Sequence, residues 1–148
     1  MGLHAWRIVS ISLVAGLVLS GCGDPEPTVA EAEKVLKSHT GQILKNVFAV
    51  DIEVTDLGDK NIPCGNDRYK RTYAVKARAG AGSGDPEIVT LMLIGTLDSV
   101  SDYKLIKDGM TQTYQQAVSV KYRHRLVLSS PGKGRIEVRG ETECLPLT

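Results

Sequence analysis

Two kinds of hydrophobic spacing alternate along this chain. Val29, Ala32, Leu36, Ile43 and Val47 recur at helical intervals, and Thr28 and Glu31 ahead of them have the spacing of a capping box. The pattern predicts a helix over 29–46, weakened in its second half by Gly41 and open to a break at 38–41. From 48 to 57 the period drops to two: Val50, Ile52 and Val54 share one face, and Asp51, Glu53 and Thr55 share the other, which predicts a half-buried strand. Residues 59–67 read as a loop holding Cys64. Alternation resumes at Arg68, with Tyr69, Tyr73, Val75 and Ala77 inward and Arg68, Lys70, Thr72, Lys76 and Arg78 outward. If these two strands pair, Asp51 and Glu53 face a basic neighbour across the ladder.

Gly80 to Gly84 forms a flexible connector, and Asp85-Pro86 then reads as an N-cap followed by the first helical residue. The apolar stretch that follows fits either a helix over 87–97 or a buried strand; its length and its cap favour the helix. Beyond Ser101 come four short stretches suited to an antiparallel meander, 103–107, 114–122, 125–129 and 135–142, with Pro131-Gly132-Lys133-Gly134 making the last turn. In the final strand Ile136 and Val138 point in while Arg135, Glu137, Arg139 and Glu141 point out. The order α-β-β-α-β-β-β-β predicts an α+β domain, an antiparallel sheet with two helices packed on one face.

The N-terminal segment breaks with this pattern. A cationic head with Arg7 precedes a predominantly apolar run of 12 residues, Ile8 to Leu19, and small residues follow. A membrane-spanning helix needs about 20 apolar residues, so the run reads as an export signal that is cut off. Leu19-Ser20-Gly21-Cys22 closely resembles the lipobox of bacterial type II signal peptides. That resemblance implies removal of residues 1–21, acylation of Cys22, and a lipid-anchored protein on the extracytoplasmic face of the cell membrane. Two or more acyl chains give stable anchoring, since each buried CH₂ contributes about 0.8 kcal/mol. Gly23 stands where the inner-membrane retention signal of such proteins carries Asp. Residues 22–27 form a short tether with two prolines, and 28–148 a single domain.

Without residues 1–21 the chain has 17 basic and 17 acidic side chains. Neutrality argues against nucleic acid, whose phosphates recruit strongly basic proteins. Lipidation of Cys22 leaves Cys64 and Cys144 as a pair. In an oxidising compartment they are expected to couple, and closing so long a loop stabilises the fold by about 4 kcal/mol in the chain-entropy account.

Candidate chemistry is sparse. Gly80-Ala81-Gly82-Ser83-Gly84 lies where a phosphate-cradling loop would, but Asp85 takes the place of the third glycine of a dinucleotide fingerprint and Pro86 removes a donor N–H. His39 and His124 do not form a metal motif by spacing and are expected at the surface or a sheet edge. No Gly-x-Ser-x-Gly elbow occurs. No cofactor or metal is expected, and Asp51 and Glu53 read as a solvated face. The outward cations Arg68, Lys70, Lys76 and Arg78 offer a basic row that would lean on anionic headgroups at about 1 kcal/mol per residue.

The Pro-Gly-Lys-Gly turn, the strand running to Thr142-Glu143-Cys144, and Ile62-Pro63-Cys64-Gly65 ahead of a tyrosine-containing strand resemble small lipoproteins of actinobacteria. This resemblance implies an envelope protein and brings no catalytic residues. The expectation is a membrane-tethered, non-catalytic module binding an envelope protein or small ligand. The alternatives are an envelope hydrolase whose site is dispersed in sequence, and an inhibitor-like protein that blocks a partner enzyme.

Overall fold

The computed structural model describes residues 25–80 and 84–148. These form three helices and eight strands: α1 (Val29–Asn46), β1 (Ala49–Asp56), β2 (Ile62–Gly65), β3 (Arg68–Lys70), β4 (Thr72–Ala79), α2 (Pro86–Gly95), α3 (Leu97–Val100), β5 (Lys104–Thr111), β6 (Tyr114–Ser119), β7 (His124–Ser129) and β8 (Arg135–Thr142). The expected α+β order holds for the two long helices and the main sheet. A small hairpin, β2 with β3, and the one-turn α3 are added to it.

Helix α1 begins with the expected capping box. Thr28 Oγ1 accepts the Glu31 N–H at 3.2 Å, and the Glu31 carboxylate accepts the Thr28 N–H at 2.8 Å. The helix continues unbroken through Gly41, because Val29, Ala32, Leu36, Ile43 and Leu44 are all buried and tertiary packing outweighs one weak propensity. Helix α2 starts on Asp85, whose side chain accepts the Glu87 and Ile88 N–H groups, with Pro86 at its first position. The stretch expected at 87–97 is therefore helix and not strand, although α2 ends at Gly95 and Leu97 already belongs to α3.

Six strands form one antiparallel sheet in the order β1-β4-β8-β7-β6-β5. Both long helices lie on the same face, where Val75, Ala77, Ala117, Leu126, Leu128, Ile136 and Val138 meet Leu36, Ile43, Val89 and Leu93 in one core. The helix approaches closest at Gly140, where a Cβ would collide with the Leu36 side chain. The strand that is last in the chain, β8, sits near the middle of the sheet and pairs with β4 on one side and β7 on the other.

The first strand departs from expectation. Val50, Ile52 and Val54 remain 47%, 54% and 40% exposed, so β1 is not half-buried. It is an edge strand beyond the cover of α1, and register shifts between Val50 and Glu53 and between Val54 and Asp56 break its alternation. Val50 pairs with the outward Arg78, whereas Val54 pairs with the inward Val75. Residues 59–67 also differ from a plain loop, since they contain β2. The strand expected from Arg68 onward is split at Arg71 into β3 and β4.

The small hairpin lies at the end of the main sheet where α1 begins. Its turn residues Asn66 and Asp67 both have φ 53°, the left-handed region that these short polar residues tolerate. A disulfide joins Cys64 of β2 to Cys144 just after β8, and Tyr69 and Leu145 exchange backbone hydrogen bonds of 2.9 and 2.8 Å. Leu145 is fully buried against Val29 and Ala32. The start of α1, the hairpin and the chain's last residues are thus bound together at one end of the domain, called here the anchor end.

Candidate functional site

The face of the main sheet opposite the helices is uncovered. On it, strand parity places Lys76 of β4, Glu137, Arg139 and Glu141 of β8, Arg125 and Val127 of β7, and Tyr114 and Gln116 of β6. Sheet twist hollows this face into a groove of about 690 Å³, with Asp56 on its β1 side and Tyr114 on its β6 side. Two carboxylates on it are each shared between two cations. Glu137 lies 3.9 Å from Lys76 and 2.9 Å from Arg139, while Glu141 lies 3.0 Å from Lys70 and 3.6 Å from Arg125. Ala74, Arg139, Val127 and Gln116 form a continuous cross-strand row, so small apolar side chains lie among the charges. Asp56 at the rim accepts the Thr72 hydroxyl at 2.6 Å and the Gly58 N–H at 2.9 Å. The hydroxyl bond, reinforced by the amide, holds its carboxyl below the usual carboxylate range.

Behind the helix-covered face lies a second polar group. His39, Tyr103 and His124 are buried, so the expected surface or edge placement of the two histidines is corrected. Tyr103 Oη lies 2.8 Å from His39 Nδ1 and 2.6 Å from His124 Nε2, and His124 Nδ1 lies 3.2 Å from the Tyr122 carbonyl. A carbonyl only accepts, so His124 Nδ1 carries a proton and, in the neutral ring, Nε2 does not. Tyr103 then donates to His124 Nε2 and accepts from His39 Nδ1–H, and the bonds run in one direction. Burial pushes the His124 pKa down to about 4, a shift that the Tyr122 carbonyl bond opposes and His39 reinforces. Burial also lowers that of His39 and raises that of the Tyr103 phenol. The three rings connect α1, the segment before β5, and β7 through two buried hydrogen bonds that meet at the Tyr103 hydroxyl.

The sequence did carry a signal for this burial. His39 is three residues after Leu36 and four before Ile43, on the inward stripe of α1. His124 has the parity of the inward Leu126 and Leu128.

A third polar group sits under the start of α1. Glu33, 4% exposed, lies 2.7 Å from Arg71 and 3.0 Å from Lys37, and accepts the Asp59 N–H at 2.7 Å. Burial alone would raise its pKa, but these partners outweigh it and hold the carboxyl below its ordinary value.

The anchor end is organised around Glu26. Arg68 grips its carboxylate with both guanidinium nitrogens at 2.7 and 3.0 Å and also donates to the Cys144 carbonyl at 2.7 Å. The Arg123 guanidinium lies 3.4 Å from the same carboxylate. Hydrogen bonding and charge from Arg68, with charge from Arg123, lower the Glu26 pKa.

Of the four cations expected to form a basic row, Lys70 and Lys76 reach Glu141 and Glu137 on the uncovered sheet face, whereas Arg68 turns to Glu26. Arg68 and Lys70 belong to the small hairpin, while Lys76 and Arg78 lie on the main sheet, and each is within 4.0 Å of a carboxylate: Glu26, Glu141, Glu137 and Asp51 respectively. Cys64 and Cys144 form the expected disulfide. Leu19, Ser20, Gly21 and Cys22 lie outside the described residues, as does the middle of the glycine segment at 81–83. At the start of α2, two N–H groups of the kind that would face a phosphate are taken by Asp85. Among the described residues no group of three or more His, Cys, Asp or Glu side chains is arranged to hold a metal ion, and no helix is long and apolar enough to cross a membrane.

No protein-family model, curated protein or solved structure matches this chain.

Proposed function

We propose that this chain is a lipid-anchored, extracytoplasmic binding module. Residues 1–21 are removed, Cys22 carries acyl chains in the membrane, and the domain presents the uncovered face of its sheet to an envelope protein or small ligand. One observation carries the binding half of this reading: both long helices cover the same side of the sheet, leaving a groove of about 690 Å³ on the other. Interaction surfaces combine a small apolar centre with a polar surround. Here Ala74 and Val127 lie among Lys76, Arg125, Arg139, Glu137 and Glu141, which suits a partner bearing both signs of charge. The non-catalytic half rests on the directions of the polar groups. Nucleophilic hydrolysis needs a base able to take a proton from a nucleophile in a shared space. His39 and His124 face Tyr103 inside the core, and Asp56, the carboxylate that meets the Thr72 hydroxyl at the groove rim, is a weakened base because its pKa is lowered.

A photo-crosslinking side chain placed at Gln116, on the groove, and in a separate chain at the exposed Lys34 of α1, tests the reading in intact cells. Crosslinks of defined mass from Gln116 and none from Lys34 are expected. Equal yields from both sites, or none from Gln116, would reject the groove as the binding face. A Cys22→Ser chain is expected to leave the membrane fraction; its full retention would reject the anchor.

A further inference from the structure

The carboxylate of Glu26 fixes where the N-terminal segment leaves the domain. Cys22 precedes Glu26 by four residues, a reach of at most about 14 Å. The eight-residue β8 runs about 26 Å along the domain. A lipid on Cys22 therefore brings the anchor end to the bilayer before the opposite end can arrive.

Beside this exit stands the β6–β7 turn, joined to Glu26 through Arg123. Its outermost side chains are Val120, 65% exposed, and Lys121, whose ammonium lies 5.1 Å from the centre of the Tyr122 ring. Lys121 joins no ion pair among the described residues, unlike the neighbouring Arg68 and Arg123. An exposed apolar residue beside a cation and an amphipathic ring is the composition of a segment that settles in the headgroup layer. Ile62 and Leu147 add exposed apolar surface at the same end. Two rival surfaces exist. One is the β1 edge, where Val50, Ile52 and Val54 are exposed but stand beside Asp51, Glu53 and Asp56, carboxylates that an anionic leaflet repels. The other is α2, where Ile88 and Leu91 are exposed. That helix has Glu87 in its first turn and no cation in its last, and α3 behind it adds Asp98, so an anionic leaflet repels it.

We propose that the Glu26 clamp seats the domain on its anchor end, with Val120 and Lys121 of the β6–β7 turn in the headgroup layer of an anionic bilayer. This rests on the lipid-anchor reading and adds to it an orientation: the strands stand away from the membrane, and the groove opens sideways along its surface.

Removal of residues 1–21 takes away Trp6, the chain's single tryptophan, so one introduced tryptophan reports its own depth. The full-length precursor carrying Val120→Trp, or Leu91→Trp, is expressed with its signal, purified in detergent and reconstituted into vesicles of phosphatidylcholine and phosphatidylglycerol with brominated acyl chains. Intact mass is measured first. A mass retaining residues 1–21, or lacking acyl chains, overturns the anchor reading itself. With the acylated mass in hand, the Val120→Trp chain is expected to show blue-shifted, bromine-quenched emission, strengthened by phosphatidylglycerol, while Leu91→Trp stays unquenched. Adding Glu26→Gln to Val120→Trp weakens the quenching while the protein remains vesicle-bound. Equal quenching at both sites, or quenching at Leu91→Trp alone, overturns the proposed orientation and leaves the anchor standing.

Discussion

At the scale of single residues, the domain is held by buried polar groups whose surroundings make them sensitive to acid. His124 has a folded pKa of about 4 against an ordinary 6.5. Between those values the unfolded chain binds a proton that the folded chain refuses. Stability is therefore complete above about pH 6.5 and falls as pH drops toward 4, by about 3 kcal/mol from this residue alone, with His39 acting in the same direction. Urea unfolding followed across that range should show the slope, and a His124→Gln chain should show a shallower one; an unchanged slope in that variant would refute the assignment. Glu33 acts lower, below its ordinary 4.5, because its folded pKa is also depressed. Removing its carboxylate strands the mostly buried Arg71 guanidinium, so Glu33→Ala should lose about 3 kcal/mol at neutral pH, read from the urea midpoint. A loss within the few tenths typical of surface positions would show that the site is wet and the pairing weak.

At the scale of elements, periodicity located the helices and strands but not what covers them. Helix α1 was legible because its cap and its apolar stripe agreed, and α2 because Asp85 and Pro86 marked its start. Strand β1 was legible as a strand and misleading as a buried one. Alternation records which side chains share a face only while the pleat is regular, and Asp51, with φ 52°, lies inside the irregular stretch of its pairing. The hairpin β2–β3 escaped notice because its strands are short and β2 contains Pro63. The groove was half legible. The outward parity of Arg135, Glu137, Arg139 and Glu141 was readable, but the neighbours that pair with them come from strands far away in the chain. The buried rings were missed for the same reason, since their partners belong to three separate elements. One contact between elements invites a direct test. Gly140→Ala places a methyl group against Leu36 where α1 meets β8, and overpacking of this kind should cost about 1–3 kcal/mol, seen as a lowered thermal midpoint. A neutral result would mean that α1 shifts away without loss.

At the scale of the whole molecule, the covalent link between Cys64 and Cys144 closes a loop with a sequence separation of 80 residues. The odd cysteine count was enough to suggest that pair once Cys22 was set apart, whereas the geometry it secures, hairpin against chain end, was not readable. Replacing both cysteines by serine should lower stability by about 4 kcal/mol in the chain-entropy account, measured by urea unfolding against the oxidised parent. Much smaller losses would mean that Tyr69, Leu145 and the Arg68 contacts already hold the hairpin without the bond.

The position of β8 bears on the order in which the protein matures. The ribosome delivers residues 135–142 after every other strand, yet β1 with β4, and β5 with β6 and β7, are united into one sheet only through that segment. Until it arrives, the nascent molecule is two unjoined halves with exposed inner edges, a template for mispairing. A polypeptide stopped before residue 135 should therefore be cleared as an unfolded product instead of accumulating as a smaller, partly working protein.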